Sequence, residues 1–146
     1  MAAAGFYHLT RSPLQQALPR LLARTLESGQ RALILGTSQP ALDALSTALW
    51  AQRVWLPHGS AADGDPDLQP IWLTTEAEPV NGARYLFLVD GAETGRLGEF
   101  DRAFDLFDGN TATALAAARL RWRAAKEAGH TLTYWQQTES GWRKNA

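Results

Sequence analysis

The segment RALILGTSQPALDALSTALWAQ (residues 31–52) decides the fold, because it joins a short apolar run directly to a helical repeat. The run from Arg31 to Gly36 is typical of a strand that is covered on both faces of a sheet. The residues after it have apolar side chains at helical spacing, which predicts a helix with an inner face formed by Leu42, Leu45, Leu49 and Trp50. A buried strand that leads straight into a helix favours a parallel sheet with helical crossovers.

The same order of strand and helix precedes this segment. GFYHLT (residues 5–10) predicts a strand, and Ser12 as N-cap with Pro13 as the first helical residue predicts a helix that ends at Gly29. Further strands are predicted at 71–75, 84–90 and 131–137, a long helix at 113–128, and a short helix in EFDRAFDLFDG (residues 99–109) with Phe100, Phe104 and Phe107 on one side. We therefore predict one α/β domain over residues 1–146, with three α/β/α layers, a mainly parallel central sheet and a Rossmann-like topology.

The composition is that of a folded globular protein. Of the 146 residues, 45% are hydrophobic, and the absence of Cys excludes disulfides, thiol catalysis and thiolate metal sites. The start, MAAAGFYHLTRSP, lacks the basic segment of a secretory signal. No apolar run approaches the ~18 residues of a membrane helix. We expect a soluble, cytoplasmic protein.

The loops after the first two predicted strands do not resemble phosphate-binding loops. LTRSPLQ (residues 9–15) has no glycine, and ILGTSQPALD (residues 34–43) has one, so neither GxGxxG nor GxxxxGK[ST] occurs. Without several glycines the backbone cannot approach a diphosphate closely. We expect no nucleotide cofactor.

Aspartate and histidine residues, which could take part in catalysis or metal binding, occur here without the neighbouring residues of a known motif. Asp90 ends a predicted strand and could hold Mg²⁺ or attack a phosphoryl group, which makes a phosphoryl-transfer enzyme one alternative function. An Asp-Gly pair is more common as a turn, however. Asp63, Asp65 and Asp67 have the spacing of a cation loop but lack the glycine and the distal glutamate of an EF-hand. The histidines are scattered, and we expect no metal site and no catalytic residues.

The strongest candidate for a binding site lies in ARLRWRAAKEAGH (residues 118–130). Four side chains at i, i+3, i+4 and i+7 share one stripe of the predicted helix, with no acid among them: Arg119, Trp122, Arg123 and Lys126. Alanines form the opposite face, from which Arg121 is expected to extend its guanidinium group to an edge. The stripe fits a peptide with acidic residues and an apolar tip, a single strand of DNA with bases on Trp122, or a plain solvated face.

The stretches FYHL, SGQRALIL, LDALSTALW, WLPH and RLRWRAAKEAGH follow one another over most of the chain. In this order and spacing they resemble the chi subunit of bacterial DNA polymerase III holoenzyme. The resemblance implies a non-catalytic accessory subunit in DNA replication. Such a subunit binds the psi subunit, and through it the clamp loader, as well as the acidic C-terminal tail of single-stranded DNA-binding protein. It meets DNA only indirectly and no membrane.

The resemblance also implies where the tail of single-stranded DNA-binding protein binds. That tail ends in Pro-Phe and a free carboxylate, and its site falls on Arg119, Trp122, Arg123 and Lys126, with Arg119 on the carboxylate. Phe104 and Phe107 are expected on the apolar side of this site. Leu115 stands where relatives have a lysine, which would weaken the support for the acidic part of the tail.

For the psi subunit, the resemblance implies a surface around WLPH, formed by Trp55, Leu56 and Pro57 with Trp50 beside them. From the residues alone, Trp55 fits equally well as the core anchor of a short strand that spans Val54 to Leu56.

Overall fold

The computed structural model describes residues 2–53, 55–60, 63–139 and 141–145, which form one eight-stranded sheet and three α-helices. The strands are β1 (Ala3–Leu9), β2 (Ala32–Leu35), β3 (Gly59–Ser60), β4 (Ile71–Thr74), β5 (Tyr85–Leu88), β6 (Arg102–Asp108), β7 (Thr131–Thr138) and β8 (Gly141–Lys144). The helices are α1 (Leu14–Glu27), α2 (Gln39–Trp50) and α3 (Ala112–Glu127). None of these helices is long and apolar enough to cross a membrane.

The sheet has the strand order β3-β4-β2-β5-β6-β1-β7-β8, and its neighbouring strands are parallel except for the antiparallel pair β7 and β8. The apolar side chains of α1 and α2 pack on one face, and those of α3 pack on the other. The predicted three-layer α/β/α arrangement with a mainly parallel sheet is thus confirmed.

The segment at residues 31–52 folds as its pattern predicts. All four residues of β2 are buried, and Ser38 caps α2 because its hydroxyl accepts the Ala41 N–H at 3.3 Å. Leu42, Leu45 and Leu49 face the core, but Trp50 is 53% exposed, so its predicted place on the inner face is wrong. The next position on a helix is turned about 100° away from Leu49, which carries the indole of Trp50 off the apolar stripe.

The prediction of a short helix in EFDRAFDLFDG is wrong, because most of this segment forms the central strand β6. The spacing of Phe100, Phe104 and Phe107 imitates one face of a helix, yet the five residues from Ala103 to Phe107 are all buried. A strand between two helical layers is covered on both faces and loses the alternation that would reveal it. Asp105 added a misleading polar position.

The start of α1 also differs from the expectation, because Ser12 does not cap it. Pro13 occupies the cap position, and the Ser12 hydroxyl accepts a hydrogen bond from Gln137 Nε2 at 2.6 Å. The Oε1 atom of Gln137 accepts the backbone N–H groups of Arg11 and Ser12 at 2.8 and 3.0 Å. A side chain of β7 therefore holds the turn between β1 and α1. The end of α1 at Gly29, whose φ is 81°, is as predicted.

Candidate functional site

A buried ion pair fixes α3 on the sheet. Arg121 Nε lies 2.6 Å from Asp105 Oδ2, and Arg121 Nη2 lies 2.9 Å from Asp105 Oδ1, with both side chains buried. Arg121 thus does not extend to an edge as expected, because it meets a carboxylate on β6 directly beneath it. Burial raises the pKa of Asp105, and the Arg121 guanidinium opposes that rise. The two hydrogen bonds set the rotation of α3 and so determine which side chains it exposes.

The predicted stripe lies along one exposed border of α3. Arg119, Arg123 and Lys126 are exposed, and none of them has an acidic partner within 4.0 Å among the described residues. Trp122 is half-buried and contacts Phe6 and Tyr134 edge to face, with ring centroids 5.2 and 5.8 Å apart. The structure therefore brings the four stripe residues together. The indole of Trp122 lies between the cations and the sheet.

A small cavity opens beside Trp122. Its volume is about 260 Å³, and its walls are Phe107, Leu115, Ala118, Arg119, Trp122 and Tyr134. The lining is mostly apolar, and Arg119 provides its one charged wall residue. An apolar cavity with one guanidinium at its mouth suits an aromatic or aliphatic group that carries a carboxylate next to it.

Tyr134 is held at the floor of this cavity by His8. Its hydroxyl lies 2.7 Å from His8 Nδ1, while His8 Nε2 lies 3.4 Å from the Gly109 carbonyl. The carbonyl can only accept, so Nε2 carries the proton and Nδ1 accepts from the tyrosine hydroxyl. Burial raises the pKa of Tyr134, and the positive charge of Arg119 lowers it in part.

Phe104 and Phe107 do not share a face, which corrects the expectation that both line the cavity. They are three residues apart on β6, so their side chains point to opposite sides of the sheet. Phe107 lines the cavity under α3. Phe104 stacks on Phe87 on the other face, with ring centroids 4.4 Å apart, in the core beneath α1 and α2.

A second surface is formed by two tryptophans at the end of α2. Trp50 and Trp55 are 53% and 74% exposed, and their ring centroids are 6.1 Å apart. Trp50 also lies against His58, with ring centroids 4.0 Å apart. Trp55 therefore is not a core anchor, and residues 55–58 form no strand, while Val54 lies outside the described residues. Two adjacent exposed indoles are rare on a protein surface that has no partner.

The residues between these tryptophans and β3 hold the pair in place. His58 is buried, with Nδ1 2.7 Å from the Leu56 carbonyl and Nε2 3.0 Å from the Ser46 hydroxyl. Leu56 is only 2% exposed, so it anchors this segment in the core and does not present a contact surface, contrary to the expectation. Pro57 is half-buried beside it. Anchoring Leu56 turns the neighbouring Trp55 outward.

Asp90 occupies a turn, as its Asp-Gly sequence favours. Its φ is 55°, that of Gly91 is 77°, and the Asp90 side chain is exposed. Within the described ranges there is no group of three His, Cys, Asp or Glu side chains that could hold a metal ion. The loop between β2 and α2 has Gly36 as its one glycine.

Comparison with known proteins identifies the family. The family model described as "DNA polymerase III chi subunit, HolC" matches residues 1–133. The chain belongs to this family. The description of the family is that of a subunit of DNA polymerase III. The matched residues include the α3 stripe, Trp50 and Trp55, while β7 beyond Thr133 and all of β8 lie outside the match.

A curated relative supports the assignment to the chi family. It is a protein of Rickettsia prowazekii (strain Madrid E) with the name "Probable DNA polymerase III subunit chi". The two sequences are 27% identical over 99 residues, which are 66% of this chain and 60% of the relative. The chain thus spans somewhat less than two thirds of the length of the relative that it matches.

Sequence reasoning missed three residues that shape the stripe of this chi-family chain. Asp105 sets the rotation of α3, and Tyr134 and His8 build the floor of the cavity. The signal for Tyr134 was available, because TLTYWQQ was predicted as a strand and alternate residues of a strand share one face. Nothing in the sequence indicated which face of that strand α3 would cover.

Proposed function

We propose that this chain is a non-catalytic adaptor of the DNA polymerase III holoenzyme, which bridges the psi subunit of the clamp loader complex and the acidic C-terminal tail of single-stranded DNA-binding protein. The observation that carries the proposal is the cavity beside Trp122, which joins an apolar interior to the guanidinium of Arg119. A chain end that combines an aromatic side chain with a free carboxylate needs both features within one small site.

The tail enters this cavity with its last residue. The terminal phenyl ring packs between Trp122, Phe107 and Tyr134, and the terminal carboxylate pairs with Arg119. Acidic residues that precede the Pro-Phe end then lie along the rest of the stripe, where Arg123 and Lys126 are exposed and unpaired among the described residues. Leu115 adds apolar wall and no charge.

The expected affinity is moderate. A hydrogen bond between charged groups contributes about 1.5–3 kcal/mol, so a few such contacts and one buried ring give a Kd that is roughly micromolar. A Kd in this range allows the tail to exchange, which suits a subunit that hands a partner over during replication.

Arg119→Ala tests the tail site. Titration calorimetry with an acidic peptide that ends in Pro-Phe-COOH should show roughly 10- to 100-fold weaker binding, because one charge-assisted contact is lost. The same peptide with an amidated C-terminus should bind the unaltered chain about as weakly. Combining the variant with the amidated peptide should add little, since both changes remove the same contact.

Arg20→Ala is the matched control for this titration. Arg20 is also an exposed arginine on a helix, but α1 lies on the opposite face of the sheet. Its replacement should leave peptide affinity unchanged. Full additivity of Arg119→Ala and amidation, or equal losses in Arg119→Ala and Arg20→Ala, would contradict the assignment of the carboxylate to Arg119.

The proposed surface for psi is the exposed pair Trp50 and Trp55. Tryptophan is enriched among residues that dominate binding energy, and here two indoles lie side by side while Leu56 and His58 fix their base. The variant Trp50→Ala with Trp55→Ala should abolish co-purification with psi and leave thermal stability nearly unchanged, because both rings are exposed. Leu120→Ala removes a 65% exposed apolar side chain on α3 and should have no effect on psi. Loss of psi in both variants, or in neither, would contradict the proposal.

A further inference from the structure

One wing of the sheet extends beyond the helices on the face that carries α1 and α2. On this face α1 packs on β2 and β6, and α2 packs on β4. β7 and β8 lie past β1 at the edge of the sheet, and the tryptophans that they turn to this face pack at the border of the core and remain partly exposed. This surface is on the opposite side of the sheet from α3 and its cavity.

Aromatic side chains cover this wing. Tyr7 on β1 stacks nearly parallel to Trp135 on β7, with ring centroids 6.3 Å apart and an interplanar angle of 9°. The ring of Trp142 on β8 meets Tyr7 edge to face at 5.2 Å. Trp135 Nε1 donates to Thr133 Oγ1 at 3.1 Å, which lays the indole along its own strand. Both tryptophans remain partly exposed.

Three cations lie on this side of the sheet. The guanidinium carbon of Arg102 lies 5.0 Å from the Phe104 ring centroid and 5.6 Å from that of Tyr85, so it sits on the same face. Arg24 lies on α1, and Lys144 is the register partner of Trp135. All three side chains are exposed, and none has an ion-pair partner within the part of the chain that the structure describes.

Tyr7 adds a hydroxyl to the same face of the sheet, and its side chain is 7% exposed. Burial raises the pKa of Tyr7, while the charges of Arg102 and Arg24 oppose the rise. A neutral hydroxyl can donate a hydrogen bond to an anion.

We propose that this wing, formed by Tyr7, Arg24, Arg102, Trp135, Trp142 and Lys144, binds single-stranded DNA. Partly exposed indoles offer flat faces for bases, and the cations meet phosphates, which is the combination that single-strand binding uses. From β6 to β8 the wing spans three strand spacings, about 14 Å, which is the length of a few nucleotides. An acidic peptide would engage the cations alone and leave the indoles without a role. None of these six residues belongs to the proposed tail site or psi site, and three of them, Trp135, Trp142 and Lys144, lie outside the residues matched to the family model.

The test is fluorescence anisotropy of the full chain with a fluorescein-labelled oligothymidylate of 15 nucleotides at 50 mM salt. The double variant Arg24→Ala with Arg102→Ala should bind at least about 10-fold more weakly, and the slope of log K against log salt should fall by about 1.4, since two phosphate contacts are lost. Its tail-peptide affinity should stay unchanged, which separates this result from the proposed adaptor function. Thermal unfolding shows whether the double variant folds.

Adjacent cations on β8 provide a matched pair that does not disturb the core. Lys144→Ala removes a charge from the wing, whereas Arg143→Ala removes one from the opposite face, where Arg143 contacts Gln136. Lys144→Ala should weaken oligothymidylate binding about threefold or more, and Arg143→Ala should not. Equal effects of the two changes, no binding by the unaltered chain at 50 mM salt, or equally effective competition by polyglutamate would overturn the proposal.

Discussion

Asp105 is a carboxylate between the apolar residues Phe104 and Leu106 of β6, and its burial decides how α3 lies on the sheet. The Arg121 guanidinium donates to both carboxylate oxygens of Asp105. A buried charge on either element alone would be unfavourable, but the two charges compensate each other once α3 packs on β6. The pairing could not be predicted from the sequence, because the two residues are 16 positions apart and one lies on a strand while the other lies on a helix. Ala118 and Ala125 are buried beside Arg121, so their small side chains let this part of α3 lie close to the sheet.

Asp105→Asn should lower the free energy of unfolding by about 3–5 kcal/mol, because it leaves the buried guanidinium of Arg121 without its counter-charge. Urea unfolding followed by far-UV circular dichroism measures the loss. The control is Asp101→Asn, which breaks the exposed pair with Arg84 and should leave the urea midpoint nearly unchanged. Similar midpoints for both variants would show that the buried pair does not anchor α3.

Gly109 supports the cavity indirectly, because it leaves room for His8, which contacts Tyr134 at the cavity floor. A Cβ atom on Gly109 would lie 1.7 Å from His8 Cδ2, so Gly109→Ala forces the imidazole away from Tyr134. We expect a stability loss of about 1–3 kcal/mol and weaker tail-peptide binding, because the cavity floor moves. Gly95→Ala is the control, since nothing lies within 4 Å of the added Cβ. Unchanged peptide affinity in a folded Gly109→Ala variant would separate His8 from the site.

At the scale of elements, the predictions hold for the amphipathic helices and for β2, β4 and β5, which are short continuous apolar runs, and they fail for β6 and for short or irregular segments. The amphipathic helices α1, α2 and α3 begin and end within about two residues of their predicted bounds. β6 is buried on both faces and imitates a helix, and β3 and the WLPH segment are too short or irregular to leave a pattern. The stripe on α3 was predictable because helical spacing alone places its residues together.

The close approach of α3 to the sheet gives a test at the same scale. Ala118 is 3% exposed on the inner side of α3, so Ala118→Leu should cost about 1–3 kcal/mol by overpacking. Ala116→Leu makes the same change on the exposed side and should be nearly neutral. The two variants differ only in the side of the helix that receives the larger side chain. Unfolding of both in guanidinium chloride measures the difference in their free energy of unfolding. Equal stability would mean that α3 can shift outward without loss.

Across the whole molecule, the sheet separates the two proposed partner sites. α3 covers β6 and β7 on one face, while the pair Trp50 and Trp55 lies at the end of α2, which packs on β4 on the other face. The strand order puts β4 and β7 five spacings apart, or about 24 Å. The sequence alone could not give this separation, because the order of strands depends on pairing between distant segments.

This separation predicts that the two partners bind independently. The sites share no side chain and no hydrogen-bond network among the described residues, so a bound psi subunit has no differential contact through which to change the tail site. The affinity of the tail peptide, measured by calorimetry for the free chain and for its complex with psi, should therefore agree within about twofold. A larger change would require a conformational link through the sheet. In that case Trp50→Ala with Trp55→Ala should itself alter peptide affinity in the free chain, whereas independent sites leave it the same.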